Sequence, residues 1–160
     1  MIYTKKNILK GAIIYAIGDT IASILLHEFM WQRLLGMLFI GATVYAFEIP
    51  NYFAWIDKKT AFQNGIKKII RKTLLAILYF NPLWIARHLF FIKLCSQKYE
   101  SLNFGLLEIA FWSFLVNIPI SIIANYIIQN KIKLDWRFMA SAVFSGIMAI
   151  YYAMSESLFS

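Results

Sequence analysis

Long apolar runs alternate with short polar links along this chain of 160 residues. The runs lie at 8–26, 34–55, 73–94, 102–128 and 138–154. A helix of about 20 apolar residues crosses a hydrocarbon layer of about 30 Å, so each run predicts a membrane-spanning helix. The first and last runs are the weakest, and a four-span alternative places one segment on the membrane surface. The pattern therefore predicts an all-α integral membrane bundle of four to five transmembrane helices, forming a single domain over 1–160.

The link between the second and third runs has a pattern of its own. Apolar residues such as Phe62 and Ile66 fall near one face of a helix, and Lys67 and Arg71 fall on the other. A basic amphipathic helix of this kind lies in the membrane interface. We therefore predict an interfacial helix over 60–72.

Composition agrees with a membrane environment. Hydrophobic residues make up 61% of the chain and charged residues only 15%, whereas ordinary soluble domains are about 45–50% apolar. One soluble globule of this size cannot bury that excess. The net charge of +8 could indicate nucleic acid, but the basic residues fall between apolar runs and form no stripe on a polar domain. The expected partner is the lipid bilayer, and no nucleic-acid partner is expected.

The positions of the basic residues predict an orientation. Most of the 16 Lys and Arg residues lie before the first run, between the second and third runs, or between the fourth and fifth. Such residues favour the cytoplasmic side of a membrane. We therefore expect an inner membrane, plasma or organellar, with the N-terminus on the cytoplasmic or matrix-like side. Five spans would place the C-terminus on the opposite side of the membrane, and four spans would place it on the same side as the N-terminus.

Ionisable and polar residues interrupt the apolar runs. Asp19 lies in the first run, Glu48 in the second, Arg87 and His88 in the third, and Asn125 in the fourth. Such groups are costly in hydrocarbon and usually face other helices or water. Asp19 or Glu48 could pair with Arg87, and His88 could change its protonation near neutral pH. These residues are the candidate solute pathway, and the alternative is that their charges only lock helices together.

Prolines fall in three different runs, at Pro50, Pro82 and Pro119. Each proline removes a backbone donor and leaves the carbonyl four residues earlier in need of a partner. The sequence therefore predicts Pro-kinked spans.

A faint internal repeat is also present. The spacing from Lys10 to Asp19 equals that from Lys72 to Asn81, and each pair opens an apolar run. Two related helical hairpins followed by a last helix would give this pattern, and such repeats are common in transporters.

The sequence contains no catalytic constellation. Cys95 is the single cysteine, and the two histidines lack the spacing of metal ligands. No glycine-rich loop is present to bind phosphate. We therefore expect no enzymatic activity, no metal and no cofactor.

Several short motifs follow one another in an order known from one family. They are Gly18-Asp19, Asn51-Tyr-Phe-Ala-Trp-Ile-Asp57, Lys72-Thr-Leu-Leu, Phe80-Asn-Pro82, Pro119, Ala124-Asn125-Tyr126 and Leu134-Asp-Trp-Arg137. In these motifs the chain resembles the Mpv-seventeen and peroxisomal-membrane-protein-twenty-two family of small organellar membrane proteins, over nearly its full length. The family's signature Trp and Gln are replaced here by Ile118 and Ile122. The resemblance implies passage of a small solute across a membrane.

A second set of motifs is similar to the bacterial L-alanine exporter family. These motifs are Asp19-Thr20-Ile-Ala22, Arg33, the stretch from Pro50 to Asp57, and Asn81-Pro82. This resemblance leaves the fifth run without a counterpart, so it ranks second. It implies export of L-alanine or another amino acid.

Together these features predict a small-solute membrane channel or transporter with a polar pathway inside a helical bundle. The alternatives are an amino-acid exporter and a non-transporting membrane scaffold or assembly factor. A single bundle of 18.6 kDa encloses little volume, so assembly into a homo-oligomer is a further expectation.

Overall fold

A computed structural model describes residues 2–159 of the chain, with the side chains of 2–148, 150 and 151. The chain is 84% helical, and no strand occurs within residues 2–159. The α-helices are α1 Lys5–Leu25, α2 Trp31–Ile40, α3 Ala46–Lys59, α4 Gly65–Tyr79, α5 Pro82–Cys95, α6 Gly105–Asn130 and α7 Leu134–Phe159. This all-α architecture confirms the predicted fold class.

Within residues 2–159 these helices form five rods, which are α1, α2–α3, α4–α5, α6 and α7. A π-helical segment, Gly41–Tyr45, joins α2 to α3, while a short break at 80–81 separates α4 from α5. Four segments of the described chain are long and apolar enough to span a membrane: Lys5–Leu25, Trp31–Lys59, Gly65–Cys95 and Gly105–Asn130. The predicted span 138–154 lies on α7, and its side chains at 149 and 152–154 lie outside the described residues.

The five rods pack side by side in a closed ring, and rods that follow one another in the chain run in opposite directions. The helix α1 packs on α7 and α2, α6 packs on α7, α4 and α5, and the α2–α3 rod packs on α4 and α5. Large apolar side chains from several rods meet in the core, including Tyr45, Phe53, Met37 and Ile85, each no more than 1% exposed. One end of the ring carries the N-terminus and the 59–65 and 130–134 links. We call it the N-terminal end, and the other the far end.

The helix ends follow local chemistry. Both α1 and α5 end at the far end with a left-handed residue, His27 and Gln97, each with φ 56°. The next amide then donates to the carbonyl five residues earlier, Glu28 to Ser23 and Lys98 to Lys93. This is the Schellman arrangement, which satisfies carbonyls that the helix leaves free.

The predicted interfacial helix at 60–72 is not a separate element. The helix α4 begins at Gly65 and continues through the basic residues into the third span. Neither Gly nor Pro lies between Arg71 and Thr73, so nothing ends the helix there. The break comes at Asn81, whose side chain caps α5 by accepting from the Trp84 amide at 3.0 Å.

The three prolines have different settings. Pro82 opens α5 at a position where no backbone donor is needed, whereas Pro119 lies inside the continuous helix α6. Pro50 lies inside α3, and the π-helical segment ends at Tyr45, immediately before the residue whose carbonyl Pro50 leaves without a donor.

The close contact between α1 and α7 depends more on Gly18 of α1 than on Gly146 of α7. A Cβ atom built on Gly18 would lie 2.6 Å from the Cα of Gly146, which is far inside contact distance. A Cβ on Gly146 would lie 3.5 Å from the Cα of Gly18, an ordinary contact. Small residues of this kind let membrane helices approach closely.

We expect Gly18→Ala to lower stability by about 1–3 kcal/mol, because the added methyl group overpacks the α1–α7 contact. Gly146→Ala, at the same contact, should leave stability unchanged or slightly raised, since Ala is the better helix former. Thermal unfolding of both variants in detergent, followed by circular dichroism, measures the difference. Equal effects of the two substitutions would contradict this packing.

Candidate functional site

A stripe of polar residues runs along the buried side of α6. Its members are four residues apart, and each is at most 8% exposed: Ser113, Asn117, Ser121, Asn125 and Gln129. Residues with this spacing lie on one side of a helix. We call this set the α6 polar stripe. At a rise of about 1.5 Å per residue it is about 24 Å long, which is most of a hydrocarbon layer of about 30 Å.

The opposite side of α6 is apolar and exposed. Val116 is 56% exposed, Ile120 57% and Ile123 62%. A soluble protein places these two kinds of surface the other way round, with apolar residues inward. The reversed arrangement is the one expected where the surroundings are lipid and the bundle interior is polar.

Only part of the stripe has its hydrogen bonds satisfied inside the protein. The Asn125 side-chain nitrogen donates to the Ser121 carbonyl at 2.9 Å. The Gln129 side chain is fully buried, yet neither its amide nitrogen nor its amide oxygen has a hydrogen-bond partner within the described part of the chain. An unsatisfied buried polar group costs about 1–3 kcal/mol. This conformation is therefore closed around Gln129, and a polar molecule that reached it would gain hydrogen bonds.

The prediction from sequence included Asn125 but missed the other four members of the stripe. Each is an uncharged residue in an apolar run, so none stands out by itself. The signal was present in the sequence, because every fourth residue from Ser113 to Gln129 is polar. Two more buried hydroxyl residues with the same spacing, Ser141 and Ser145, lie on α7.

An ionic cluster lies beside Gln129, where the stripe reaches the N-terminal end of the ring. The Asp57 carboxylate forms salt bridges with Lys72 at 2.5 Å and with Arg137 at 2.7 Å, which joins α3 to α4 and α7. Lys72 also donates to the backbone carbonyl of Gln129 at 3.2 Å, and Arg137 donates to the Ile132 carbonyl at 2.9 Å. We call Asp57, Lys72 and Arg137 the Asp57 cluster. This cluster joins α3, α4, α6 and α7 beside Gln129.

A second ionic contact lies towards the far end. The Arg33 guanidinium donates to both carboxylate oxygens of Asp19, at 2.8 and 2.7 Å, and the two side chains are 3% and 2% exposed. The candidate residue Asp19 therefore pairs with Arg33 and not with Arg87. Arg33 lies in a polar link by its sequence, but α2 begins two residues earlier, at Trp31, and carries it into the bundle.

This pair continues to the surface through Glu28, whose carboxylate lies 3.7 Å from Arg33 and also bonds Lys98. The hydrogen bond from Lys98 lowers the pKa of the Glu28 carboxyl below its ordinary value, and partial burial opposes this effect.

The third ion pair is Glu48 with Arg87, bonded through both carboxylate oxygens at 2.9 and 2.6 Å. The Tyr79 hydroxyl donates to Glu48 at 2.9 Å. The two charged side chains are 32% and 34% exposed. Arg87 shares its side of α5 with Leu83 and Phe90, which are exposed apolar residues. The pair therefore lies on the outer side of α5, away from the buried face of the bundle.

His88 lies inside the bundle and is 2% exposed. Its Nδ1 atom is 2.8 Å from the Tyr45 hydroxyl, and its ring stacks on Trp84 with centroids 5.4 Å apart and an angle of 9° between the planes. Tyr45 in turn packs on Tyr15 at 4.4 Å. His88 therefore belongs to a buried aromatic cluster, next to the π-helical segment that ends at Tyr45.

No family model, curated protein or solved structure matches this chain. The two resemblances in its motifs therefore remain predictions. Among the described residues, no group of three His, Cys, Asp or Glu side chains is placed to hold a metal ion. What the structure itself provides is a helical membrane protein with a polar interior stripe and an ionic contact towards each end.

Arg33→Gln alone should destabilise the protein by about 3–5 kcal/mol, because it leaves the Asp19 carboxylate buried without a charged partner. The double variant Asp19→Asn/Arg33→Gln should recover much of that loss, since no net charge is then left buried. Glu28→Gln, in a half-exposed pair, is the control and should cost about 1 kcal/mol or less. SDS-induced unfolding in mixed micelles measures the wild type, these three variants and Asp19→Asn alone, which completes the double-mutant cycle. Additive losses in the double variant would contradict a coupled pair.

Proposed function

We propose that this protein is a small-solute membrane channel or transporter, with its pathway along the α6 polar stripe. The observation that supports the proposal best is the fully buried Gln129 amide, which has no hydrogen-bond partner in the described part of the chain. A helix that only had to pack would place an apolar side chain there at no such cost. A solute-lining helix needs the amide, because a polar solute must replace its water by hydrogen bonds along the route.

In this proposal the ionic contacts keep the pathway closed at its two ends. The Asp57 cluster holds α3, α4 and α7 together at the N-terminal end, and the Asp19–Arg33 pair holds α1 to α2 towards the far end. Between them the stripe consists of hydroxyl and amide groups alone. Neutral groups of this kind suit an uncharged or zwitterionic solute better than a bare ion.

The candidate pathway residues accordingly receive separate roles. Asn125 lines the route, whereas His88 belongs to the buried aromatic cluster. Asp19 holds the bundle closed, while Glu48 and Arg87 lie on the outer surface. A charge pair that is one-third exposed in a lipid-facing position favours a covering subunit, so we include a homo-oligomer in the proposal.

The two resemblances extend the proposal. Membership of the Mpv-seventeen and peroxisomal-membrane-protein-twenty-two family would agree with passage of small solutes through an inner membrane, with the N-terminus on its cytoplasmic or matrix-like side. An amino-acid exporter is the second candidate. A non-transporting scaffold is the third, and the fully buried Asp19–Arg33 contact is the observation that favours it.

We expect purified protein in liposomes to release glycerol, urea or L-alanine faster than protein-free liposomes do. Gln129→Leu should slow this release about tenfold, because a solute at that level would lose a hydrogen-bond partner. The variant should remain folded or become more stable, since the amide makes no hydrogen bond in the closed conformation. Ile123→Ala, on the exposed side of α6, is the control and should release solute at the wild-type rate.

The three solutes separate the candidates. Release of L-alanine alone would support the exporter, and release of all three a channel. A folded wild-type protein that released none of them would contradict the transport proposal and favour the scaffold. Unchanged release by folded Gln129→Leu protein would contradict a pathway along the α6 polar stripe.

A further inference from the structure

A long groove lies on the outer surface between α4 and α6. Its volume is about 780 Å³, and most of its wall is apolar, formed by residues such as Ile70, Leu74, Leu78 and Phe114. The groove is open along its length, and several of these side chains are more than half exposed. Because the surroundings of this surface are hydrocarbon, the natural occupant of such a groove is itself an apolar chain.

The groove has the depth of one lipid leaflet. It begins near Lys67 and ends against Asn81 and Pro82, where α4 gives way to α5. Lys67 and Leu78 lie 11 positions apart on α4, which is a rise of about 16 Å, and half of a hydrocarbon layer is about 15 Å. Asn81 also lies near the middle of the span Gly65–Cys95. The groove therefore runs from headgroup level to about the centre of the membrane.

The mouth of the groove is basic. Lys67 and Arg71, one helical turn apart, line it at the headgroup level together with Gln63. The side-chain oxygen of Gln63 is buried and has no hydrogen-bond partner in the described part of the chain. Two cations can bind a lipid phosphate, and the Gln63 oxygen can accept a bond from a headgroup hydroxyl.

We propose that this groove binds an anionic phospholipid, with one acyl chain along α4 and its phosphate between Lys67 and Arg71. The charge at the mouth selects this occupant. A neutral phospholipid would bring no net negative charge to the two cations. A second copy of the chain in a symmetric contact would bring two further cations to them, which is unfavourable. This site is independent of the proposed transport function.

The test uses the purified full-length protein in detergent, with added phosphatidylglycerol or with phosphatidylcholine of the same acyl chains. Phosphatidylglycerol should be retained in native mass spectra and should raise the unfolding temperature more than phosphatidylcholine does. Lys67→Gln/Arg71→Gln should weaken the apparent affinity for phosphatidylglycerol about tenfold. Lys58→Gln/Lys59→Gln removes the same charge from exposed residues at the same end of the bundle, outside the residues that line the groove. It should leave the affinity unchanged.

A second variant tests the acyl chain separately from the headgroup. Leu74→Trp fills the wall of the groove without changing its charge, and it should also weaken phosphatidylglycerol retention in protein that circular dichroism shows to be folded. Equal losses in the two charge variants would overturn the site, because they would indicate general attraction to a basic surface. Equal binding of both lipids, or full retention by folded Leu74→Trp protein, would overturn it as well. Cross-linking of Leu78→Cys to a second copy, with no bound lipid, would assign the groove to a subunit contact instead.

Discussion

Hydrocarbon offers no hydrogen-bond partner, and the arrangement of this protein follows from that constraint. A helix satisfies nearly all of its own backbone groups, and the bundle is all-α over residues 2–159. A polar side chain in a span is least costly where it faces the bundle interior or a surface. For this reason α6 turns its serines and amides inward and its isoleucines outward, and the carboxylate of Asp19 is held through both oxygens by one guanidinium.

Charged and neutral polar groups divide the interior between them. The charged groups lie towards the ends, where the Asp19–Arg33 pair joins α1 to α2 and the Asp57 cluster joins α3 to α4 and α7. The neutral groups of the α6 polar stripe fill the length between. Ionic contacts therefore join the helices towards both ends, and neutral polar groups face the interior between them. The partly buried Glu48–Arg87 pair and the groove beside α4 belong to the outer surface.

Sequence reasoning reached the helices because apolar run length and the Asn81-Pro82 break are local signals. It failed at the start of α4, since basic residues indicate an interface but do not end a helix. The candidate site was harder, because the partner of a charge is decided by packing. Asp19 could have paired with several cations, and only the fold brings it to Arg33. Arg87 and Glu48 were correctly considered as a pair, but their position on the outer side of α5 depends on how α3 and α5 rotate in the ring. The stripe itself could have been found from its repeat of four residues.

The inward direction of the α6 polar stripe is the central claim, and spin-label accessibility along α6 in lipid bilayers tests it most directly. Single cysteines would be placed in turn from 111 to 129 in a Cys95→Ala background, and collision of the attached nitroxides with oxygen would be compared with collision with a water-soluble nickel chelate. The account predicts a helical period in oxygen accessibility, with maxima at Val116, Ile120 and Ile123 and minima at Asn117, Ser121 and Asn125. Oxygen maxima at the stripe positions, or high nickel accessibility on the isoleucine side, would contradict it.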